Sequence, residues 1–376
     1  MAEVTMAPKG LEGVVVEKTT MSRVDGLKGE LIYRGYNIDE LADCSFEEVC
    51  YLFLENKLPN EAELAALDAQ MREQRGIPDL VRDFIIRAPK DDHPMATLRT
   101  ATSMLSGYLS RLEDNDPVAY REQAVALTAK VGTIVAAIQR ARKGLDFLAP
   151  DRSLSHAANF LYMMNGEKPE DVVARTLDVC LVLHADHSFN ASTFTSRVVA
   201  STESDMVSSV TAAIGSLKGP LHGGANTAVM RMLQEIGELE NVEPWLEKAL
   251  AEKRKVMGFG HRVYKVLDPR AKHLKRMSEE WGRRVGNVKW FDMSTKLEQL
   301  MLEKKGIYPN VDFYSASTYF AMGIDPEMYT PIFAVARMLG WCAHFIEQRA
   351  DNRIFRPKAN YVGPLDLKAK PLKERA

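Results

Sequence analysis

After residue 41 the apolar positions of this chain recur three and four residues apart, the spacing of one face of an α-helix. Ser45 followed by Glu48 is a capping-box start, and FEEVCYLFLENK then carries an apolar face that stops at Pro59. The same pattern predicts helices over residues 61–75, 94–109, 118–140, 153–164, 169–184, 191–200, 205–217, 226–238, 243–253, 270–282, 295–305 and 326–348. Pro, Gly, Asp and Asn between them mark short connections. Only the opening part differs: GVVVEKTTMSRVDGLKGELIYRGYNI mixes β-branched residues with Gly and Asp turn signals, which predicts one small hairpin or two short strands. Without repeated strand and helix alternation, the expected class is all-α with a small β element near the N-terminus.

Size adds a division to this picture. A chain of 376 residues exceeds the length at which one hydrophobic core stops growing, so one large and one smaller domain are expected. With 46% apolar and 27% charged residues, such a chain needs no disulfide or structural metal to fold. Lys and Arg total 49 against 51 Asp and Glu, a net charge of −2, which gives no general pull toward nucleic acid or an anionic membrane. Cys44, Cys50, Cys180 and Cys342 form no zinc or redox motif and read as free thiols in a reducing compartment. The opening segment MAEVTMAPKGLEGVVVEKT holds no apolar run of signal-peptide length, and the apolar stretch 331–346 is interrupted by Arg337 and His344. A cytoplasmic location is expected. The tail after Gly363, with its lysines and prolines, reads as a surface arm.

Three clusters carry candidate chemistry: KGPLHGGA around His222, GFGHRVYKVLDPR around His261, and PNVD ending at Asp312. Each sets an ionisable side chain beside a Gly or Pro that restricts the backbone, so the loop holds the ring or carboxyl in place. The alternative for either histidine alone is a surface-loop residue without a task. LKGPLHGG also looks like an anion-cradling turn before a helix, but it lacks the spacing and terminal Lys-Ser or Lys-Thr of a P-loop. Gly258-Phe-Gly260 is too short for a dinucleotide fingerprint. The Gly-rich passages 215–224 and 258–260 are the candidates for hinge or ligand-contact backbone, since glycine permits close approach and positive φ.

His184-Ala-Asp-His187 has the look of a metal half-site, since histidines three apart share a helical face, yet the hydrolytic zinc motif needs four-residue spacing and a Glu. No third ligand is evident, so no metal is expected; a metal-dependent lyase or hydrolase built on His184, Asp186 and His187 stands as the alternative. Arg337 interrupts a strongly apolar helical stretch, where a guanidinium is costly unless an anion compensates it. That anion is either an internal acid such as Glu347 or a ligand. Arg270, Arg337 and Arg356 converging would suit a substrate with more than one carboxylate.

HADHSFNAST, GSLKGPLHGGAN, KVMGFGHRVYKVLDPR, YPNVDFYSA and RPKANYVGP, in this order, resemble the motifs of the citrate synthase family, and the likeness runs from RGYNIDELA to Pro364. The resemblance implies a two-domain citrate-synthase-like helical fold: a large helical domain over 1–225, a small mobile domain over 226–328, and a return to the large domain over 329–376. It implies condensation of acetyl-CoA with oxaloacetate through an enol-like intermediate, an acyl transfer in which the acyl group becomes alkyl, followed by hydrolysis of citryl-CoA. Carried over by position, His222, His261 and Asp312 become catalytic. His187, Arg270, Arg337 and Arg356 become oxaloacetate ligands, with Arg356 offered across the interface of a homodimer, and Lys265 and Lys305 become CoA-binding. No tightly bound cofactor is implied, acetyl-CoA being a substrate. 2-Methylcitrate synthase, which uses propionyl-CoA, is implied as the near alternative, and a non-catalytic helical scaffold as the remote one. The chain resembles the shorter dimeric members rather than the larger, NADH-regulated ones.

Overall fold

The computed structural model describes residues 6–375; the start of the segment read for a signal peptide lies outside them. The chain is all-α, with one small antiparallel sheet of β1 (Ser22–Asp25), β2 (Glu30–Tyr33) and β3 (Tyr36–Asn37) in the order β1-β2-β3. The third strand, only two residues long, carries no alternation that a sequence reading could detect. Sixteen α-helices follow: α1 (Ile38–Leu41), α2 (Phe46–Glu55), α3 (Glu61–Gln74), α4 (Asp79–Arg87), α5 (Pro94–Met104), α6 (Pro117–Arg142), α7 (His156–Asn165), α8 (Asp171–His184), α9 (Ala191–Ser201), α10 (Met206–Leu217), α11 (Ala225–Ile236), α12 (Val242–Ala251), α13 (Pro269–Arg284), α14 (Lys289–Lys305), α15 (Val311–Ala321) and α16 (Tyr329–Ala350).

Local chemistry fixes many of the ends. The Ser45/Glu48 capping box forms reciprocally at α2, and Asn60 with Glu63 makes another at α3. His93, Asp116 and Asp268 cap helices whose first residue is a proline, where the missing N–H costs nothing. Three helices were not foreseen: the single-turn α1, α4 and α15. α4 is short and amphipathic, burying little beyond Val81 and Ile85, and α15 was hidden by reading its first turn as a loop of candidate chemistry. α14 begins earlier than expected, and the last predicted helix splits into a 3-10 turn (Pro326–Met328) followed by α16.

α6 and α16 are the central axis of the larger packed body. α16 lies against α2, α6, α8, α9 and α10, and α6 is covered further by α3, α4, α5 and α7. α6 is the one helix among the described residues long and apolar enough to cross a membrane, and it is buried by its neighbours instead. α11 to α15 pack chiefly on one another, α13 on α15, α11 on α15 and α12 on α14. Cys50, Cys180 and Cys342 are buried, Cys44 partly so, and all four are free thiols. Residues 364–373 of the tail are exposed, including Leu365, Leu367 and Leu372.

Candidate active site

Three connections of this framework carry the candidate residues. His222 sits in the tight turn between α10 and α11, closed by His222 N–H to Gly219 O (2.9 Å) and Gly223 N–H to Leu217 O (3.0 Å). Its Nε2 faces the start of α9, 2.8 Å from Ser192 Oγ and 3.3 Å from the Ser192 backbone N–H. With Nε2 accepting from Ser192, the ring proton belongs on Nδ1, which has no partner among the described residues. Burial, aided by the Arg337 charge, lowers the pKa of His222 to about 4, so the ring is a neutral donor.

His261 reaches the same state by a different route. Its Nδ1 accepts from the backbone N–H groups of Val263 (3.0 Å) and Tyr264 (3.1 Å), so Nε2 carries the proton. Burial, then the charges of Arg270 and Lys265, lower its pKa to about 4. The loop is held from below by a short antiparallel bridge between Phe259 and Pro309, with Gly260 N–H to Tyr308 O (3.0 Å) and Asn310 N–H to Gly258 O (2.9 Å). Gly258 and Gly260 both adopt left-handed φ (80° and 75°) within this bridge, which is why the motif needs glycine there. Because the bridge ties the His261 loop to the start of α15, these glycines help fix the histidine relative to the helix that carries Asp312. Gly215, in the other Gly-rich passage, lies inside α10.

Asp312 is the second residue of α15, whose first turn is capped by the Asn310 side chain accepting the Asp312 N–H (3.0 Å). A helix N-terminus favours a charged carboxylate. Burial outweighs it, and despite the pull of Arg270 and Arg337 the carboxyl pKa rises to about 6. His187, half-buried in the turn after α8, meets the His261 loop directly: its ring centroid is 5.2 Å from that of His261, and its Nε2 is 3.3 Å from Tyr264 Oη. α8 stops at His184, so His184 and His187 do not share a helical face, and the half-site geometry expected for that pair is overturned. His184 Nδ1 donates to Cys180 O (2.7 Å), while Asp186 is engaged by Ser22, Ser188 and His344.

The three arginines differ. Arg270 is buried and held bidentately by Asp268 (Nε–Oδ1 3.0 Å, Nη2–Oδ2 2.8 Å). Arg337, 1% exposed, gives Nε–H to His184 O (2.8 Å), lies 4.7 Å from the Phe333 ring centroid, and has no carboxylate within ion-pair distance among the described residues. Burial lowers its pKa to about 10. Glu347, weighed as its internal partner, is instead paired with Arg197 (2.5 Å) and bonded by Thr19 and Thr20. Arg356 is exposed in the tail, its guanidinium turned to Pro357 O, and is not gathered with the others in a single chain. A cleft of about 230 Å³ runs beside His261, Tyr264, Lys265 and Asp268 to Gly306–Pro309. Lys265 is on its wall, Lys305 is the residue before Gly306, and both are exposed.

Sequence reasoning did not single out Ser192, Asn310, Tyr264 or Asp268. Two had a signal: Asn310 and Asp268 each stand as Asn or Asp before a helical run, Asp268 with proline next. Ser192 and Tyr264 act through contacts 30 and 77 residues away in the chain, which no local pattern reports.

The family described as "Citrate synthase, C-terminal domain" matches residues 10–358. The chain is 48% identical over 372 residues to citrate synthase 2 of Bacillus subtilis, covering 98% of this chain and 100% of that one. It is 43% identical over 356 residues to 2-methylcitrate synthase of Mycobacterium tuberculosis, covering 94% and 90%. Its fold matches citrate synthase of Thermoplasma acidophilum, solved as a ternary complex with carboxymethyl coenzyme A and oxaloacetate, at a TM-score of 0.92 and 35% identity, covering 98% and 99%.

Proposed function

Because this chain belongs to the citrate synthase family, we propose that it condenses acetyl-CoA with oxaloacetate and hydrolyses the citryl-CoA formed to citrate and CoA. The observation that supports this reading best is the pair of neutral histidines, each with one ring N–H unpartnered among the described residues, together with the buried Asp312 carboxyl of pKa about 6 on the helix that the His261 loop bridges to. A carboxylate of that basicity accepts a proton from the acyl methyl group while His222 Nδ1–H hydrogen-bonds the thioester oxygen, giving an enol-like nucleophile without a free enolate. His261 Nε2–H polarises the ketone of oxaloacetate and then holds the new alkoxide. The C–C bond forms between the methyl carbon and the ketone carbon at a fixed approach. Water then cleaves the thioester, and the sulfur leaves as CoA thiol.

Charge counting bears on the dianionic substrate. Within one chain Arg270 is paired with Asp268 and only Arg337 of the two is without a carboxylate at ion-pair distance among the described residues, so a second substrate carboxylate calls for a further cation. Arg356 of a second copy would supply it, in keeping with the homodimer read from the sequence. His187 would contact the substrate beside Tyr264, and Lys265 and Lys305 would meet the CoA phosphates at the cleft mouth. The lobe over 226–328, whose helices pack chiefly among themselves, would close over bound oxaloacetate and exclude water. Calorimetry should then show acetyl-CoA binding at least tenfold more tightly with oxaloacetate present. Equal affinity in both conditions would sink the closure.

The similarity to a 2-methylcitrate synthase supports a second reading, with propionyl-CoA as the acyl donor. One methyl group in a pocket is worth about 1–3 kcal/mol, so the two donors should differ by roughly 10- to 200-fold in kcat/KM. CoA release at fixed oxaloacetate, measured with each acyl-CoA in turn, is expected to favour acetyl-CoA. A propionyl-CoA preference moves the assignment to the second reading, and no oxaloacetate-dependent release with either rejects both.

A further inference from the structure

Strand β1 touches both histidine-bearing segments, one at each end. At its start Ser22 Oγ–H donates to Asp186 Oδ2 (2.5 Å) and accepts the Ser188 backbone N–H (2.8 Å). Tyr33, paired with Ser22 across the sheet, donates its hydroxyl to Asp186 O (2.8 Å), so the turn that carries His187 is gripped on both sides. Just past its other end, Gly26 O accepts the Lys265 backbone N–H (2.8 Å). The approach there is so close that a Cβ on Gly26 would stand 2.1 Å from Val263 O. Val263 and Tyr264 are the residues whose N–H groups orient the His261 ring, and Tyr264 Oη in turn meets His187 Nε2.

These contacts close a circuit from Ser22 through Asp186, His187, Tyr264 and Lys265 to Gly26 and back along the strand. We propose that β1 is a strut that sets the separation of His187 and His261, with Ser22 and Gly26 as positioning residues for the oxaloacetate half of the site, an inference that rests on the function proposed above. A four-residue strand spans only about 13 Å and is stiffened by its ladder to β2, whereas the two loops it joins have no regular structure of their own. Neither residue touches substrate; each acts by where it holds a loop.

Gly26→Ala tests this in the full chain. Gly26 has no left-handed φ, so alanine suits the turn, and the nearest atoms it would meet all belong to Val263, the carbonyl first and then the Cγ1 methyl at 3.1 Å. The expected result is a fall in kcat/KM for oxaloacetate of about 10²-fold, carried mainly by KM, from a loop shift near 1 Å. Amide exchange over 261–268 should quicken at least tenfold while the melting temperature stays within a few degrees. Leu27→Ala, 79% exposed in the same turn, should change nothing. Kinetic constants within twofold of the parent and unaltered exchange in Gly26→Ala would overturn the strut, as would a loss of melting temperature equal in both variants. Should Gly26→Ala not fold, Ser22→Ala decides by the same oxaloacetate KM and by exchange over 186–190. A parent protein without oxaloacetate-dependent CoA release would reject the proposed function, and the exchange measurements would still judge the strut.

Discussion

Asp312→Asn is expected to lower oxaloacetate-dependent CoA release by about 10³-fold, the scale of a lost general base, without lowering the melting temperature at pH 8. The second half follows from the sign of the shift. Burial raises the folded-state pKa of this carboxyl from 3.8 to about 6, so the native state holds the proton more tightly than the unfolded chain does. Its favourable contribution is present in acid and is lost as pH rises through about 6, which leaves an ionised, desolvated carboxylate in the native state above that pH. Asparagine removes the charge and keeps the shape. The same shift gives the parent enzyme an acid limb in kcat/KM with an apparent pKa near 6, while His222 and His261 stay neutral down to about 4. A variant that melts many degrees lower, or a parent profile flat to pH 5, would remove Asp312 from the role of base.

The second large effect separates two arginines that look alike in sequence. Arg337→Met should lower kcat/KM for oxaloacetate by about 10²- to 10³-fold, as expected when one partner of a buried charge pair is lost from a complex. It should leave the free protein as stable as before. No carboxylate is stranded, the lost hydrogen bond to His184 O is worth about 1 kcal/mol, and the burial that lowers the Arg337 pKa to about 10 opposes the cation in the native state. Arg270→Met, by contrast, strands the buried Asp268 carboxylate and should cost about 3–5 kcal/mol of stability. Denaturant melts of both variants beside oxaloacetate calorimetry make the comparison. Equal destabilisation by the two substitutions would mean that Arg337 is a structural cation after all.

This contrast also shows how far reading along the chain could go. Arg337 stood out because it breaks an apolar helical face, and the structure buries it there. Whether an internal acid answers it depended on where Glu347 points, and Glu347, ten residues on in the same helix, turns to Arg197 and to Thr19 and Thr20. α15 was missed for a related reason. Asn310-Val-Asp312 reads as loop chemistry and as a helix cap at once, and only the apolar run that follows, buried against α11 and α13, decides for the helix.

By itself the sequence determined the helical class and most of the helix positions, and it named the candidates for acid–base and anion chemistry, because periodicity, caps and loop motifs are properties of neighbours in the chain. Tertiary structure alone decided the rest. It chose the tautomers of His222 and His261, through Ser192 in one case and the Val263 and Tyr264 amides in the other. It raised the pKa of Asp312 by burial, spent Arg270 on Asp268, left Arg337 uncompensated, and drew the N-terminal strand across to both histidine loops. A proton's position and a charge's cost depend on what lies within a few ångströms in space, and those neighbours come from segments up to two hundred and more residues apart.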